Sequence, residues 1–378
     1  MKILIFSWRG PGHIHAGGAE QSTHEHAKAW VKAGHEVTLF TSCHDGLKEN
    51  EKIGGVEIIR SGSQILGVQV KAFLWYIFGK HPRYDLVIDQ FHGIPFFTPL
   101  FVRAKKLGFI HEVAKDVWKM NPLSFPKNVI PALVGPIVEP MIIKLLYKRI
   151  PFITVSESTR GDLTSFGIPE TNINIIYNGV TLDLPRKLPK KERKFTAVYL
   201  GAISRDKGIM DALKVFAQLN KNSPDWQFWV IGKGTKDFVD ELEFQAKELE
   251  IDKKMKLWGF VSSKRKFNLL AKAHVMVNPS IREGWGLVNI EANAVGTPVC
   301  GYDVPGMCDS VQHGNTGMLC RLGDTKKLAG NVLKLVNNSK LYRKMQASAR
   351  SWAREFTWER SSKESLKLIE RLVYDKKR

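Results

Sequence analysis

Cysteine is scarce in this sequence, and none of it is spaced for metal binding. The four cysteines, Cys43, Cys300, Cys308 and Cys320, form no Cys-x-x-Cys pair and no zinc-finger pattern. The spacing therefore predicts reduced thiols that are mostly buried. Five histidines near the N-terminus form no compact ligand set either, so we expect surface histidines and no metal site there: His13, His15, His24, His26 and His35.

The sequence is also short of acidic residues relative to basic ones. It holds 37 Asp and Glu against 57 Lys and Arg, a formal net charge of +20. This excess favours an anionic partner, and nucleic acid, an anionic membrane surface and a phosphorylated substrate all carry the right charge. Because there is no zinc-finger spacing, basic zipper or aromatic signature of an RNA-recognition sheet, we expect no nucleic-acid partner.

Long apolar runs are missing as well. We find no apolar run of about 18 residues that would span a bilayer, and the N-terminal run in MKILIFSWRGPG reaches glycine too soon for a signal peptide. We therefore expect a cytoplasmic protein. Two segments, 64–83 and 139–152, mix large apolar side chains with lysine and arginine. Each is either a buried core helix or a surface lying in the headgroup layer on the inner face of the cell membrane.

The chain does contain the alternation of short β-branched runs and longer amphipathic runs that is typical of α/β proteins. Its 378 residues exceed one ordinary core, which favours two domains. A charged segment with two prolines, 182–194, is typical of a linker, so we place the domains at 1–185 and 186–358. Each should hold a parallel sheet, with strands predicted at 2–8, 36–42, 85–90, 107–112, 152–157, 195–201, 226–234, 254–260, 273–280 and 296–303.

A glycine-rich loop, RGPGHIHAGGAE, follows the first predicted strand, at the strand end where parallel sheets bind ligands. A dinucleotide fingerprint that starts at Gly10 needs glycine at position 15, which is histidine, and no Walker lysine-serine follows. What remains is Gly17-Gly18 directly before a helical stretch. Such a place is either an anion site, through exposed amides and the helix dipole, or only a turn.

The second domain carries more charged chemistry at its strand ends. In YLGAISRDKGI, Arg205 and Lys207 lie beside glycines and are suited to phosphate oxygens. In VIGKGT, the bare backbone around Gly232 is suited to the approach of a flat ring.

The stretch REGWGLVNIEANAVGTPV, residues 282–299, supplies the rest of a nucleotide site. Gly284 and Gly286 permit a tight turn. The amides of Gly286, Leu287 and Val288 are expected at a helix N-terminus, where they would face a diphosphate.

These loops fall within six short motifs that together resemble one known family. In chain order they are GGAE (17–20), HE (111–112), VSE (155–157), NGV (178–180), DKG (206–208) and E-x7-E (283–291). Their order and spacing resemble the retaining GT-B glycosyltransferases of family 4, or glycosyl transferases group 1, over nearly the full chain. The resemblance implies two Rossmann-like parallel-sheet domains facing a central cleft. The acceptor would bind the first and the nucleotide-sugar the second, with a last helix, 359–378, crossing back to the first.

The resemblance also implies roles for the matching residues. Lys207 would hold the diphosphate, Glu283 the hydroxyls of the donor sugar, and Glu291 two ribose hydroxyls. His111 resembles the histidine near the reacting sugar carbon, although a buried structural histidine is the alternative. The implied catalytic residues are therefore His111, Glu283 and Lys207.

Three further features concern donor binding. Gly17 and Gly18 would approach the donor from the opposite wall. The arginine that the family commonly has after its Leu-Gly is Ala202 here, so Arg205 would have to reach the diphosphate in its place. Trp285 stands where phenylalanine is commoner, which we expect to reshape the sugar pocket.

The implied reaction is transfer of a mannose- or glucose-type hexose from a nucleotide-diphosphate sugar to a lipid-linked or polysaccharide acceptor in cell-envelope glycan synthesis. No Asp-x-Asp clamp is evident, so we expect no metal or other cofactor, with lysine and helix amides stabilising the leaving diphosphate. A GT-B epimerase or phosphorylase, or a nucleotide-sugar-binding protein without turnover, are the alternatives.

Overall fold

The computed structural model describes residues 1–14, 16–120, 128–223 and 225–375, and the chain divides into two compact units. Unit 1 comprises Met1–Gly179 and Thr357–Arg378, and unit 2 comprises Val180–Phe356. His15 lies outside the described residues.

Unit 1 is built on one sheet, most of it parallel. Its strands are β1 (Lys2–Ser7), β2 (Glu36–Thr41), β3 (Asn50–Ile53), β4 (Val56–Arg60), β5 (Leu86–Gln90), β6 (Lys105–Ile110), β7 (Phe152–Thr154) and β8 (Ile173–Ile175). They lie in the order β3-β4-β2-β1-β5-β6-β7-β8, and β3 pairs antiparallel to β4. The central strands β1 and β5 are almost wholly buried, as expected of parallel strands covered on both faces.

The helices of unit 1 are α1 (Gly18–Lys32), α2 (Gly67–Phe78), α3 (Thr98–Phe101), α4 (Val129–Leu146) and α5 (Glu157–Ser165), with α13 (Trp358–Tyr374) at the chain end. Helix α13 packs against α1, where Trp30 Nε1 donates to Ser365 Oγ at 3.1 Å. His26 is buried in the same contact, with its Nδ1 2.9 Å from Ser365 Oγ. The last described helix of the chain therefore belongs to unit 1.

Unit 2 has a wholly parallel sheet. Its strands are β9 (Phe195–Leu200), β10 (Trp226–Ile231), β11 (Met255–Gly259), β12 (Val275–Asn278), β13 (Val299–Tyr302) and β14 (Gly317–Cys320), in the order β11-β10-β9-β12-β13-β14. The helices are α6 (Ile209–Asn222), α7 (Lys236–Glu248), α8 (Ser263–Lys272), α9 (Leu287–Ala294), α10 (Met307–Ser310), α11 (Thr325–Val336) and α12 (Ser339–Ala353). The strand order reverses between β9 and β12, and at such a switch point the loops after the two strands diverge and leave a crevice.

The predicted α/β class is confirmed, and each of the ten predicted segments overlaps a strand. Four strands were not predicted from the sequence: β3, β4, β8 and β14. Strand β3 reads NEKI and has no buried residue, so it lacks the apolar run that identified the others. Strand β8 is only three residues long.

The expectation that no segment would span a bilayer is wrong as regards length and composition. Helix α4 has 18 residues, a mean hydropathy of 1.8 and only 17% of its residues buried. The apolar sequence of α4 is interrupted by Pro136, Glu139 and Pro140, so the sequence shows no continuous apolar run there. The alternative that segment 64–83 forms a buried core helix is wrong as well, because α2 buries only Val68, Gln69 and Ala72, and its Phe78 is 77% exposed.

The cysteines are free, but the expectation that most are buried is wrong. Cys300 and Cys320 lie in the sheet of unit 2, whereas Cys43 and Cys308 are exposed.

Candidate functional site

The switch point of unit 2 brings together the two loops that carry the predicted charged residues. Strand β9 pairs with β12 through Ala197–Val275 and Val198–Met276. Beyond the strands, the amide of Ile281 donates to the carbonyl of Asp206 at 3.0 Å. The loop after β9 and the loop after β12 are therefore bonded to each other at the carboxyl edge of the sheet.

Lys207 and Glu283, two of the three predicted catalytic residues, meet at this edge. Lys207 Nζ lies 3.0 Å from Glu283 Oε2, and Ser280 Oγ donates to Glu283 Oε1 at 2.7 Å. The two side chains retain 26% and 14% exposure, so both remain accessible to a ligand. The structure thus sets the cation predicted to bind phosphate beside the carboxylate predicted to bind sugar hydroxyls.

The loop that carries Lys207 is shaped by a buried tyrosine. Tyr199 on β9 directs its hydroxyl to the carbonyls of Ala202, at 2.6 Å, and Lys207, at 3.3 Å. Burial raises the pKa of Tyr199 well above its ordinary value, so the hydroxyl keeps its proton. Gly208 ends the loop at φ +70°, where a Cβ atom would overlap the Pro279 carbonyl. Sequence reasoning did not identify Tyr199 as a loop-positioning residue.

Arg205 is engaged away from the Lys207–Glu283 pair. Its side chain is 67% exposed, its Nη2 lies 2.6 Å from Glu241 Oε1, and its guanidinium stands 5.5 Å from the Phe238 ring centre. Both partners belong to α7. This arrangement gives no support to Arg205 as a substitute for the arginine that Ala202 replaces.

Glu291, the predicted ribose ligand, is held by a residue that sequence reasoning missed. Lys266 Nζ on α8 lies 2.5 Å from Glu291 Oε1 on α9. Burial raises the pKa of Glu291, and the positive charge of Lys266 acts in the opposite direction. The only sequence signal was a third basic residue in SKRK, since no spacing rule links positions 266 and 291.

The glycine turn before α9 has the predicted form. Gly286 is the N-cap residue at φ +73°, a left-handed conformation that favours glycine, and α9 starts at Leu287. The amides of Leu287 and Val288 lie in the first helical turn, where no carbonyl of the same helix precedes them. Glu291 follows one turn later, on the eight-residue helix itself.

Trp285 is buried directly before the N-cap residue of α9. After the half-buried Gly284, its side chain turns inward and is 3% exposed. The indole packs edge-on against Phe356 at 4.9 Å, and Phe356 packs in turn against Trp352 at 4.7 Å. The expected effect of Trp285 on the sugar pocket stays a prediction.

Gly232 lies where β10 and its two neighbouring strands end. Its φ is +154°, and its amide donates to the carbonyl of Gly259 at 3.0 Å. A Cβ atom at position 232 would overlap the carbonyl of Gly201. Glycine is thus required at position 232, because two strand ends approach each other closely there. This agrees with the bare backbone predicted from VIGKGT.

In unit 1, the Gly17-Gly18 turn is the start of α1, but its first amide is already occupied. Gly17 N donates to Glu20 Oε2 at 2.6 Å, and Arg9 Nε lies 2.9 Å from Glu20 Oε1. A carboxylate of the chain itself therefore occupies the position predicted for an anion, which the GGAE motif alone did not indicate.

His111 follows β6 in unit 1 and is 7% exposed. Neither ring nitrogen has a hydrogen-bond partner among the described residues, although the backbone carbonyl of His111 accepts a bond from Thr159 Oγ1 at 3.1 Å. Burial lowers the pKa of His111 to about 3, and His26 and His92 act in the same direction. At neutral pH the imidazole is uncharged, and its two buried nitrogens have no hydrogen-bond partner among the described residues.

The four N-terminal histidines that the structure describes are not the surface residues that we expected. His13, His26 and His35 are buried and His24 is half-buried. Their neighbours include rings and hydroxyls, such as Ser365 for His26. Within the described ranges no group of three or more His, Cys, Asp or Glu side chains is arranged to hold a metal ion.

Comparisons with known proteins match both halves of the chain. Glycosyltransferase Family 4 matches residues 16–184, and Glycosyl transferases group 1 matches residues 181–352. Glycogen synthase of Mycobacterium tuberculosis is 24% identical over 405 aligned residues, covering 95% of this chain and 92% of the relative.

Solved structures show the same fold at lower identity. WaaG, a glycosyltransferase involved in lipopolysaccharide biosynthesis, has a TM-score of 0.76 at 17% identity, covering 97% of this chain and 99% of its own. HepE of Anabaena, solved in complex with UDP-glucose, has a TM-score of 0.73 at 18% identity, covering 98% and 99% respectively.

Proposed function

The chain is a glycosyltransferase of family 4 with the GT-B fold, and we propose that it is a retaining hexosyltransferase. It moves a mannose- or glucose-type hexose from a nucleotide-diphosphate sugar to a lipid-linked or polysaccharide acceptor in cell-envelope glycan synthesis. The observation that carries the proposal is the Lys207–Glu283 pair at the switch point of unit 2, with Glu291 on the helix that follows.

The donor would be held along this edge of the sheet. Lys207 and the amides of Leu287 and Val288 supply fixed positive potential for the diphosphate, whose charge grows as it leaves. Glu283 accepts hydrogen bonds from the sugar, and Glu291 from the ribose. A ligand that engages Lys207 must share it with Glu283, which lies 3.0 Å away.

The transfer step follows from these roles and from the family resemblance. The bond between the anomeric carbon and the β-phosphate oxygen breaks, and the acceptor oxygen forms a bond to that carbon on the same face. The acceptor proton passes to an oxygen of the leaving diphosphate. We propose that no metal is required, since Lys207 and the helix amides stabilise the leaving charge.

The role of His111 rests on the resemblance and on its chemistry. With a pKa of about 3, its imidazole is neutral. A neutral imidazole has the capacity to donate one hydrogen bond and accept another, but it does not act as a cationic acid. A sugar hydroxyl is a suitable partner for its unsatisfied ring nitrogens.

Three features support the choice of donor, acceptor and location. HepE was solved with UDP-glucose, and WaaG is described as acting in lipopolysaccharide biosynthesis. The exposed apolar helix α4 of unit 1 is consistent with an acceptor held in a membrane. We place the protein in the cytoplasm, peripheral to the inner face of the cell membrane.

The test begins with binding of UDP-, GDP- and ADP-sugars to the full chain. The selected donor is then incubated with candidate acceptors, and the product's anomeric configuration is read by NMR. A product with the donor's configuration supports retaining transfer. An isomerised nucleotide sugar without acceptor would identify an epimerase, dependence on inorganic phosphate a phosphorylase, and binding without release of nucleoside diphosphate a binding protein.

A further inference from the structure

Helix α4 presents a continuous apolar stripe to solvent. Six large side chains recur at the spacing of one helix face, and Ile130, Ile137 and Leu145 are each 70% exposed or more. The full stripe is Ile130, Leu133, Val134, Ile137, Met141 and Leu145. Isolated exposed apolar residues are ordinary, but a stripe along a whole helix marks a surface for a partner.

The opposite side of α4 is fixed to unit 1, so the helix cannot leave to cross a bilayer. Glu139 accepts three hydrogen bonds, from the amides of Ala114 and Lys115 at 2.8 and 3.0 Å and from Trp118 Nε1 at 2.9 Å. Ile143 is fully buried one turn further on. A helix bound along one side and apolar along the other is suited to lie in the plane of an interface.

Helices α2 and α3 extend this surface. Helices α2, α3 and α4 connect strands that advance in the same direction across the sheet, so right-handed crossovers place them on one face. Phe73 of α2 packs edge-on against Phe101 of α3 at 5.1 Å. Asp89 then joins α3 to the end of α4, since it accepts bonds from Thr98 Oγ1 at 2.8 Å and Tyr147 Oη at 2.5 Å.

The apolar side chains of α2 and α3 are exposed like those of α4. On α2 they are Val70, Phe73, Leu74, Ile77 and Phe78, and on α3 Leu100. We call the exposed apolar side chains of the three helices the apolar face.

The charges within the segments that form the apolar face are almost all positive. The segments 64–83, 97–106 and 128–150 contain nine lysines and arginines and a single acid, the buried Glu139. Eight of these cations are exposed: Lys71, Lys80, Arg83, Arg103, Lys105, Lys144, Lys148 and Arg149. A surface that combines large apolar side chains with cations is complementary to a bilayer that carries anionic headgroups.

We propose that the apolar face docks unit 1 onto an anionic lipid bilayer, with α2, α3 and α4 lying in the headgroup layer. The aliphatic and aromatic side chains enter the boundary of the hydrocarbon, and the cations contact lipid phosphates. A second copy of the chain fits this face poorly, because a two-fold contact would bring the same cations together from both sides. The inference depends on unit 1 alone and does not require the proposed transfer reaction.

Cosedimentation of the full chain with vesicles tests the apolar part. We expect binding to phosphatidylglycerol–phosphatidylcholine vesicles, weaker binding to phosphatidylcholine vesicles, and a loss of at least about ten-fold in partitioning for the variant Leu133→Gln, Ile137→Gln, Leu145→Gln. The control variant, Phe244→Gln with Leu322→Gln, removes exposed apolar side chains from unit 2 and should bind like the unaltered protein. Thermal unfolding verifies that each variant is folded.

A second pair of variants separates docking from unspecific attraction by the net charge of +20. Lys144→Gln with Lys148→Gln should weaken binding to anionic vesicles and reduce its salt dependence. Lys334→Gln with Lys340→Gln removes the same charge from exposed positions of unit 2 and should have little effect.

Two results would overturn the proposal. One is failure of the unaltered protein to bind anionic vesicles at low salt. If sedimentation velocity then shows a dimer that the apolar variant abolishes, the apolar face contacts a second copy of the chain. The other is equal loss in the unit 1 and unit 2 charge variants together with unchanged binding of the apolar variant, which would reduce the effect to net charge.

Discussion

Lys266 Nζ lies 2.5 Å from Glu291 Oε1, so the carboxylate assigned to the ribose is already oriented by a cation from the neighbouring helix. Glu291 is a buried acid whose pKa burial raises, and an acid that takes up a proton accepts hydrogen bonds poorly. We therefore expect Lys266 to act through Glu291, as a positioning residue that favours the ionised form of the carboxylate.

Replacement of Lys266 by methionine should reduce the affinity for nucleoside diphosphate, and more at about pH 6 than at about pH 8. Without the cation the pKa of Glu291 rises further, so the protonated fraction grows as the pH falls. Calorimetric titration at the two pH values measures the effect. Lys272→Met is the control, because Lys272 lies on the same helix and pairs with Glu192 at 3.2 Å instead.

A purely structural role for Lys266 would give a different result. The affinity would then fall equally at both pH values, and it would fall just as much when Lys266→Met is added to Glu291→Gln. We expect the second change to have almost no effect once Glu291 can no longer ionise.

Substitution of the two glutamates of the E-x7-E element should affect different quantities, nucleoside diphosphate affinity for Glu291 and turnover for Glu283. Glu291→Ala removes a charged hydrogen bond to the ribose and should weaken nucleoside diphosphate binding by about 1.5 to 3 kcal/mol. Glu283→Gln should lower turnover more than affinity, because the sugar contact strengthens as charge develops. The structure adds that affinity for the diphosphate should stay level or rise in this variant, since Lys207 loses its ion-pair partner.

Titration with nucleoside diphosphate, which lacks the sugar, measures the affinity of each variant without the sugar contact. Turnover is measured separately with the intact donor, and the two results together distinguish the two assignments. The assignment fails if both variants lose diphosphate affinity equally, or if Glu283→Gln turns over at the normal rate.

The two sheets and the presence of Lys207 and Glu283 at one site could be predicted from the sequence because both depend on local patterns, whereas the direct ion pair of the two side chains was not predicted. Apolar runs identified the central strands, and residues that follow strands β9 and β12 lie together once those strands are neighbours. The Lys266–Glu291 contact depends instead on how α8 packs on α9, which no spacing in the chain records.

Side-chain burial was harder to predict than strand position. The sequence of α4 is equally compatible with a core helix and an exposed helix, because hydropathy does not tell which neighbour covers it. His26 was expected at the surface because polarity was the only guide. Its burial arises from the packing of α13, which lies more than 300 residues further along the chain, against α1.

Transfer should continue in EDTA once donor and acceptor are identified. Lys207 and the amides at the start of α9 supply the positive potential that a divalent ion provides in other transferases. The rate in excess EDTA should equal that in buffer, and added Mg²⁺ should change it little. A loss of activity that Mg²⁺ or Mn²⁺ restores would show that an ion, rather than Lys207, stabilises the leaving diphosphate.

Acid should destabilise unit 1 partly through His26. Burial lowers its pKa to about 4, against 6.5 for the exposed side chain. Between these values the unfolded chain binds a proton that the folded chain does not, so the free energy of unfolding falls as the pH drops from about 6.5 to about 4, by up to about 3 kcal/mol for this group. His111, with a pKa of about 3, adds a loss of the same sign.

The variant His26→Gln has no titrating group at this position, and its amide can still bond to Ser365. It starts less stable at neutral pH if that bond is poorer than the 2.9 Å contact of the imidazole. The informative quantity is therefore the slope of unfolding free energy with pH, measured by urea unfolding in steps from pH 7 to pH 4.5. We expect a shallower slope in the variant. An unchanged slope would mean that His26 is protonated in the folded protein as readily as in the unfolded chain, which burial between α1 and α13 opposes.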